Sequence, residues 1–263
     1  NDGELLAAAI ESILNQSHED FQYIIVDDGS GEETKEVISL FSDSRISIIT
    51  QANAGLSSAR NKAMEQIKGD YVCFLDADDT RPSWAFKSIV EIINDQDPDL
   101  IFTRGALMDV RRECLPFYDD RTFSLISDML DGSPADLTNH SALPARRLCQ
   151  LLEPQSANKV VRRSLVGKGK AHFPNTHFFE DVYFHTAVLR ERAGETRRVV
   201  QAAQVKDPEP PHDRPVEFVR LVLRGEAPLA PPVQVLTGQR QKATSGRVRH
   251  RREEQEVDRS GVE

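Results

Sequence analysis

Three short stretches of the 263-residue chain carry side chains that could do chemistry together: Asp27-Asp28-Gly29-Ser30, Asn53-Ala54-Gly55 and Asp76-Ala77-Asp78-Asp79. Carboxylates two apart on a turn, as Asp76 and Asp78 are, can share a divalent cation and its phosphate ligand, because hard oxygens suit Mg²⁺ or Mn²⁺. An EF-hand calcium loop beginning at Asp76 is excluded, since its glycine position holds Arg81 and its closing glutamate position Lys87. In Asp27-Asp28-Gly29-Ser30 one aspartate suffices to cap a turn. The other is then available to a base N–H or to ribose hydroxyls. The small residues from Asn53 to Ser58 precede a helical stretch containing Arg60, so backbone N–H groups there could meet an anion. A fourth acidic pair, Glu180-Asp181, opens another helical stretch, with His185 one turn further on. A partly buried histidine is the plainer reading of His185, and core is the plainer reading of Cys73.

These groups must be held by something, and the intervening sequence says what. Leu5, Leu6, Ala9, Ile10, Ile13 and Leu14 recur at helical spacing. Short apolar runs at Phe21–Val26, Arg45–Thr50, Tyr71–Leu75 and Asp99–Thr103 read as strands. Between them lie helical stretches through Val37, Ile38 and Phe41, over Leu56–Ile67, and through Ile93. Ser30 with Glu33 reads as a capping box for the first of these, and Pro82 suits the first turn of the last. Strands alternating with helices, and strands apolar on both faces, predict an α/β fold with a buried, mostly parallel sheet flanked by helices. In such sheets ligands bind at the carboxyl ends of the strands. Three of the acidic or amide-bearing stretches begin where a strand stops, so one sheet edge collects them.

The segments Val26–Ser30 (VDDGS), Asn53–Asn61 (NAGLSSARN), Asp70–Asp79 (DYVCFLDADD) and Glu180-Asp181 occur in that order. In this order they resemble a family 2 glycosyltransferase of the GT-A fold, the kind that builds bacterial surface polysaccharides. The similarity covers roughly residues 1–189, and Asn1 resembles the asparagine that closes the family's first strand. The resemblance implies inverting transfer of a sugar from a nucleotide diphosphate sugar to the hydroxyl of a saccharide or lipid-linked saccharide acceptor, with Mg²⁺ or Mn²⁺. By motif position it implies that Asp28 contacts the base and Asp76 the ribose side. It puts Asp78 on the metal and makes Asp181 the general base. Asn53, Arg60 and Glu180 join the substrate-binding residues. Lys159 and Arg162, in a stretch resembling the family's NKxxRR, face the phosphates or an anionic acceptor, with a solvated basic surface as the equal alternative. Two other readings stay open. Asp76–Thr80 also fits DxDx[TV], the nucleophile loop of a haloacid-dehalogenase-like phosphatase, although that loop ordinarily follows the first strand of its fold. An inactive nucleotide-sugar-binding remnant is the other.

Composition divides the chain. The formal charge of −9 averages 18 basic and 30 acidic residues over 1–185 against 15 and 12 over 186–263. The last 78 residues hold one of the 17 aromatics, half of the 14 prolines and no isoleucine, so little there can build a core. The expected organisation is a nucleotide-sugar-binding half at 1–104, an acceptor-binding half at 105–189 and a low-order basic, proline-rich tail at 190–263. No apolar run reaches the roughly 18 residues of a membrane span, and no leader is visible. Three cysteines without a CxxC pair favour a reducing compartment. The expected location is cytoplasmic, free or peripheral on the cytoplasmic face of the membrane through Arg247–Arg252. No specific nucleic acid is expected as a partner.

Overall fold

The computed structural model describes residues 2–108, 114–130, 143–176, 178–190, 199–201, 220–222 and 233–238. From the N-terminus, α1 (Asp2–Leu14), β1 (Phe21–Asp28), α2 (Glu32–Ser39), β2 (Ile46–Gln51), α3 (Leu56–Met64), β3 (Tyr71–Asp76), α4 (Ala85–Gln96) and β4 (Leu100–Phe102) alternate as the sequence predicts. A two-stranded ribbon follows, β5 (Ala106–Met108) with β6 (Cys114–Pro116), then α5 (Asp120–Leu130) and α6 (Leu143–Gln150). Strand β7 (Lys159–Arg162) and helix α7 (Glu180–Leu189) complete the part that carries the acidic pair.

Within 190–263 the structure describes three further strands: β8 (Val199–Gln201), β9 (Arg220–Val222) and β10 (Val233–Gly238). The main sheet has the order β2-β1-β10-β3-β7-β4-β8-β9. β10 lies parallel between β1 and β3, and β7 runs antiparallel between β3 and β4. The regions expected as nucleotide-binding and acceptor-binding halves are therefore interleaved in one sheet. The basic run Arg247–Arg252 and the proline clusters Pro208, Pro210, Pro211 and Pro231, Pro232 lie outside the described residues.

Strand β3 is buried along its whole length, and β1 at every residue but Gln22. Apart from Gln22, both carry apolar or aromatic side chains until the aspartates that end them, as strands covered on both faces must. Against β3 stand Phe173 and Phe184, their rings stacked with centroids 4.4 Å apart and each edge-on to Phe74. That aromatic cluster fixes α7, and with it the acidic pair, over the sheet.

Two helix starts differ from expectation. The capping box does not form: Ser30 donates its backbone N–H to Asp27 Oδ1 at 2.8 Å, and α2 begins after Gly31 with no side-chain cap. Helix α4 begins at Ala85, three residues beyond Pro82. Its second amide, that of Phe86, is taken by Oε1 of the buried Gln16, 2.9 Å away. A cap from just beyond the end of α1, 70 residues away in sequence, substitutes for the local signal.

Candidate active site

The Asp27-Asp28 stretch and the Asn53–Gly55 loop meet as the strand ends predict. Asp27 spends Oδ1 on the turn at Ser30. Asp28 ends β1 nearly buried, and its Oδ1 accepts from Gln51 Nε2 and from the Ala54 N–H, each at 2.8 Å. Its Oδ2 accepts from the Gly55 N–H, also at 2.8 Å. Three of a carboxylate's roughly four acceptor positions are therefore filled, one by Gln51 at the end of β2 and two by the Asn53–Gly55 loop, which they clamp. Gly29 makes the approach possible: at φ +75° an added Cβ would sit 2.8 Å from the Asn53 nitrogen. Asn53 itself is exposed.

Arg60 is the centre of the charge arrangement. Its side chain is 1% exposed. Nη2 donates to Asp76 Oδ1 at 2.7 Å and Nη1 to Asp181 Oδ1 at 2.9 Å, with Glu180 Oε1 3.7 Å away. The guanidinium lies 5.0 Å from the centre of the Phe173 ring. Its neighbour Asn61 donates to the Phe173 carbonyl (2.7 Å) and accepts the Phe173 N–H (3.0 Å). One turn of α3 thus ties the end of β3 to the segment entering α7, whose Phe173 and Asp181 lie 112 and 121 residues from their partners in α3. Arg60 was expected to meet substrate; the structure spends it on the carboxylates that flank it.

Asp76 is buried against Arg60, an arrangement unsuited to an exposed phosphatase nucleophile. Asp78, two residues on, is exposed beyond the turn in which the Asp79 N–H bonds the Asp76 carbonyl. Among the described residues no three His, Cys, Asp or Glu side chains converge as a metal cage. An exposed single carboxylate does fit a Mg²⁺ or Mn²⁺ ion whose remaining ligands are phosphates and water.

Lys159 is placed elsewhere than expected. It is fully buried on β7, its Nζ donating to the carbonyls of Gln155 (2.6 Å) and Glu153 (3.2 Å) and to Asn158 Oδ1 (2.7 Å). Burial pushes its pKa down to about 7, against the opposing pull of Asp181, Asp119 and Glu153. What looked like a basic patch is a strand: Val160 and Val161 are core, and Arg162 pairs with Asp97 (2.5 Å) and Asp99 (2.8 Å). Lys159 therefore does not reach phosphates; it braces residues 153–158. That loop returns to the site, because the Ser156 N–H donates to Asp181 Oδ1 at 3.2 Å. His185 is buried as expected. Neither ring nitrogen has a hydrogen-bond partner at good geometry, although backbone of Cys149 and Gln150 is close. Burial, then the Lys159 charge, lower its pKa to about 3. Cys73 and Cys149 are buried and unbridged.

A cavity of about 590 Å³ opens between the Asn53–Ser57 loop, Pro154-Gln155, Asn175-Thr176 and Phe178–Val182. Its size suits a small ligand. Glu180 and Asp181 line it; Asp28 borders it through the loop it clamps, and Asp78 stands outside the lining. Residues 1–113 match the family model described as glycosyl transferase family 2. That part of the chain is similar to glycosyl transferase family 2.

Curated proteins show the same likeness. A Bacillus subtilis (strain 168) glycosyltransferase provisionally assigned to teichuronic acid biosynthesis is 33% identical over 111 residues, 41% of this chain and 44% of that protein. The glycosyltransferase GlyA of Streptococcus pneumoniae serotype 4 is 38% identical over 90 residues, 34% of this chain and 12% of that one. The chain thus spans less than half the length of these relatives. Among solved structures, S. aureus TarS residues 1–349 in complex with UDP superposes with a TM-score of 0.53. It is 19% identical, covering 71% of this chain and 51% of that TarS fragment. The fold is therefore the mixed α/β, GT-A type. No helix among the described residues is long and apolar enough to cross a membrane.

Proposed function

We propose that the chain transfers a sugar from a nucleotide diphosphate sugar to an acceptor hydroxyl with inversion, in the synthesis of a cell-surface polysaccharide. The observation that carries this reading is the placing of Asp181 in the cavity wall with one oxygen already held. Oδ1 receives Arg60 Nη1 and the Ser156 N–H, which leaves Oδ2 to take the acceptor proton as the hydroxyl attacks the anomeric carbon. Fixing a base through a charged donor and a backbone amide restricts it to one orientation, as productive proton transfer requires. The Asn53–Gly55 loop, clamped by Asp28, offers the nucleotide a rigid edge. Glu180 faces the donor sugar. Asp78 is the residue that would hold Mg²⁺ or Mn²⁺, and the ion would offset charge developing on the departing diphosphate. A uridine nucleotide is the first donor to test, because TarS was solved with UDP. The organisation consistent with this reading puts donor binding in residues 1–104 and acceptor binding in 105–189, in the cytoplasm, where nucleotide sugars are made.

The test is calorimetry with UDP and other nucleoside diphosphates, with and without Mn²⁺, on the full chain. Asp78→Ala should abolish Mn²⁺-linked binding. Asp181→Asn should spare binding and lower turnover by about 10²–10⁴-fold, the contribution of a general base. Absence of any nucleoside diphosphate binding would sink the donor reading, and equal loss in both variants would sink the division of roles.

A further inference from the structure

The two residues immediately before the acidic pair are not explained by donor binding. Phe178 and Phe179 are 72% and 80% exposed, and both line the cavity. Two large aromatics left in water beside a polar pocket run against their usual burial. Phe179 is also held at φ 64°, ψ 19°, the left-handed region that a bulky residue rarely enters and glycine enters without strain. Non-glycine residues held in that region gather at ligand sites. The ring is thus kept where backbone geometry alone would favour glycine.

The remaining lining supplies the second half of the chemistry. Gln155, Asn175 and Thr176 present neutral amides and a hydroxyl, and no lysine or arginine lies in the described lining. Flat apolar rings beside neutral hydrogen-bonding groups match a pyranose, which has a C–H face and a rim of hydroxyls. An acyl chain would ask for a continuous apolar wall, and an anionic sugar for a cation. We propose that Phe178 and Phe179 form the acceptor platform, on which the C–H face of a neutral hexose stacks while the amides take its hydroxyls. This rests on Asp181 being the acceptor base: a hydroxyl within hydrogen-bond reach of Asp181 brings the sugar that carries it against residues one and two positions earlier.

Saturation-transfer NMR on the full chain, with the methyl glycosides of glucose, galactose and N-acetylglucosamine as probes, tests this beside UDP calorimetry and thermal unfolding. At least one glycoside should receive saturation at its ring C–H protons. Phe179→Gly should weaken that binding by about tenfold, the scale of an aromatic contact. UDP affinity should stay within about twofold, and the thermal midpoint should hold or rise as strain is relieved. Phe179→Tyr should bind as the parent does. No glycoside binding while UDP still binds overturns the platform and leaves the donor reading standing; loss of UDP binding in the parent chain overturns the donor reading instead. Unchanged glycoside binding in Phe179→Gly refutes the platform. Joint loss of glycoside binding, UDP binding and thermal stability in that variant refutes it too, by making the ring a structural element. Binding to phosphatidylcholine vesicles that disappears in Phe179→Gly would assign the rings to a lipid surface and reject the saccharide.

Discussion

Replacing Lys159 by methionine isolates the consequence of burying an amine beneath the candidate site. The side chain is sealed from solvent, and its pKa falls from 10.5 to about 7, chiefly through burial. Between pH 7 and 10.5 the unfolded chain keeps this proton while the folded chain has released it. The unfolded state then binds more protons, so stability rises with pH across that window. With the two values above, the gain between pH 7 and 9 is about 2 kcal/mol, since each unit of separation is worth about 1.4 kcal/mol. Methionine fills similar volume without a charge, so Lys159→Met should lack this rise. Urea unfolding of both proteins at pH 6, 7, 8 and 9 reads the difference as a divergence of about 1 M in midpoint, for a slope near 2 kcal/mol per molar. Parallel midpoint curves would refute the reasoning. They would mean that the three oxygens around Nζ hold the ammonium as well as water does.

Three further outcomes are expected. His185, with its pKa lowered to about 3, must take up a proton on acid unfolding. Stability is lost as pH falls below 6.5, so His185→Phe should retain about 2 kcal/mol more than the parent on going from pH 6 to 4.5, measured by urea unfolding at each pH. Gly29→Ala places a Cβ 2.8 Å from the Asn53 nitrogen at φ +75°; it should cost about 2 kcal/mol, lower the thermal midpoint by roughly 4–8 °C and weaken UDP binding as the loop moves. Arg60→Met leaves Asp76 and Asp181 buried without their cation and should destabilise by about 3–5 kcal/mol in urea unfolding, of which Asp76→Asn in the same chain should restore a part.

What could be read from residues alone followed burial. β1 and β3 announce themselves because a strand covered on both faces must be apolar throughout, and the aspartates that end them mark the exit from the sheet. Strand β7 was hidden for the complementary reason. Lys159, Arg162 and Arg163 made it look solvated, while Val160-Val161 between them carried the strand signal in only two residues. β10 shows alternation at Val233, Val235 and Thr237, yet six residues inside a proline-rich stretch outweigh little. The roles of Arg60 and Asn61 depend on partners more than 100 residues away, and nothing local in α3 specifies Phe173 or Asp181. Gln16 capping α4 is the same case. The motifs located the site; which side chains touch ligand and which hold the others is a property of the assembled sheet.

The antiparallel entry of β7 between β3 and β4 has a bearing on how the molecule is made and how it comes apart. β3 and β4 are near neighbours in the chain, but the slot between them stays open until residue 162 has left the ribosome. Until then two apolar strand edges are exposed, the kind of intermediate that seeks foreign strands. Once β7 is home it is bonded on both sides. The parts of the chain before residue 131 and after residue 142 are then tied together by the sheet itself, because each supplies strands that the other needs.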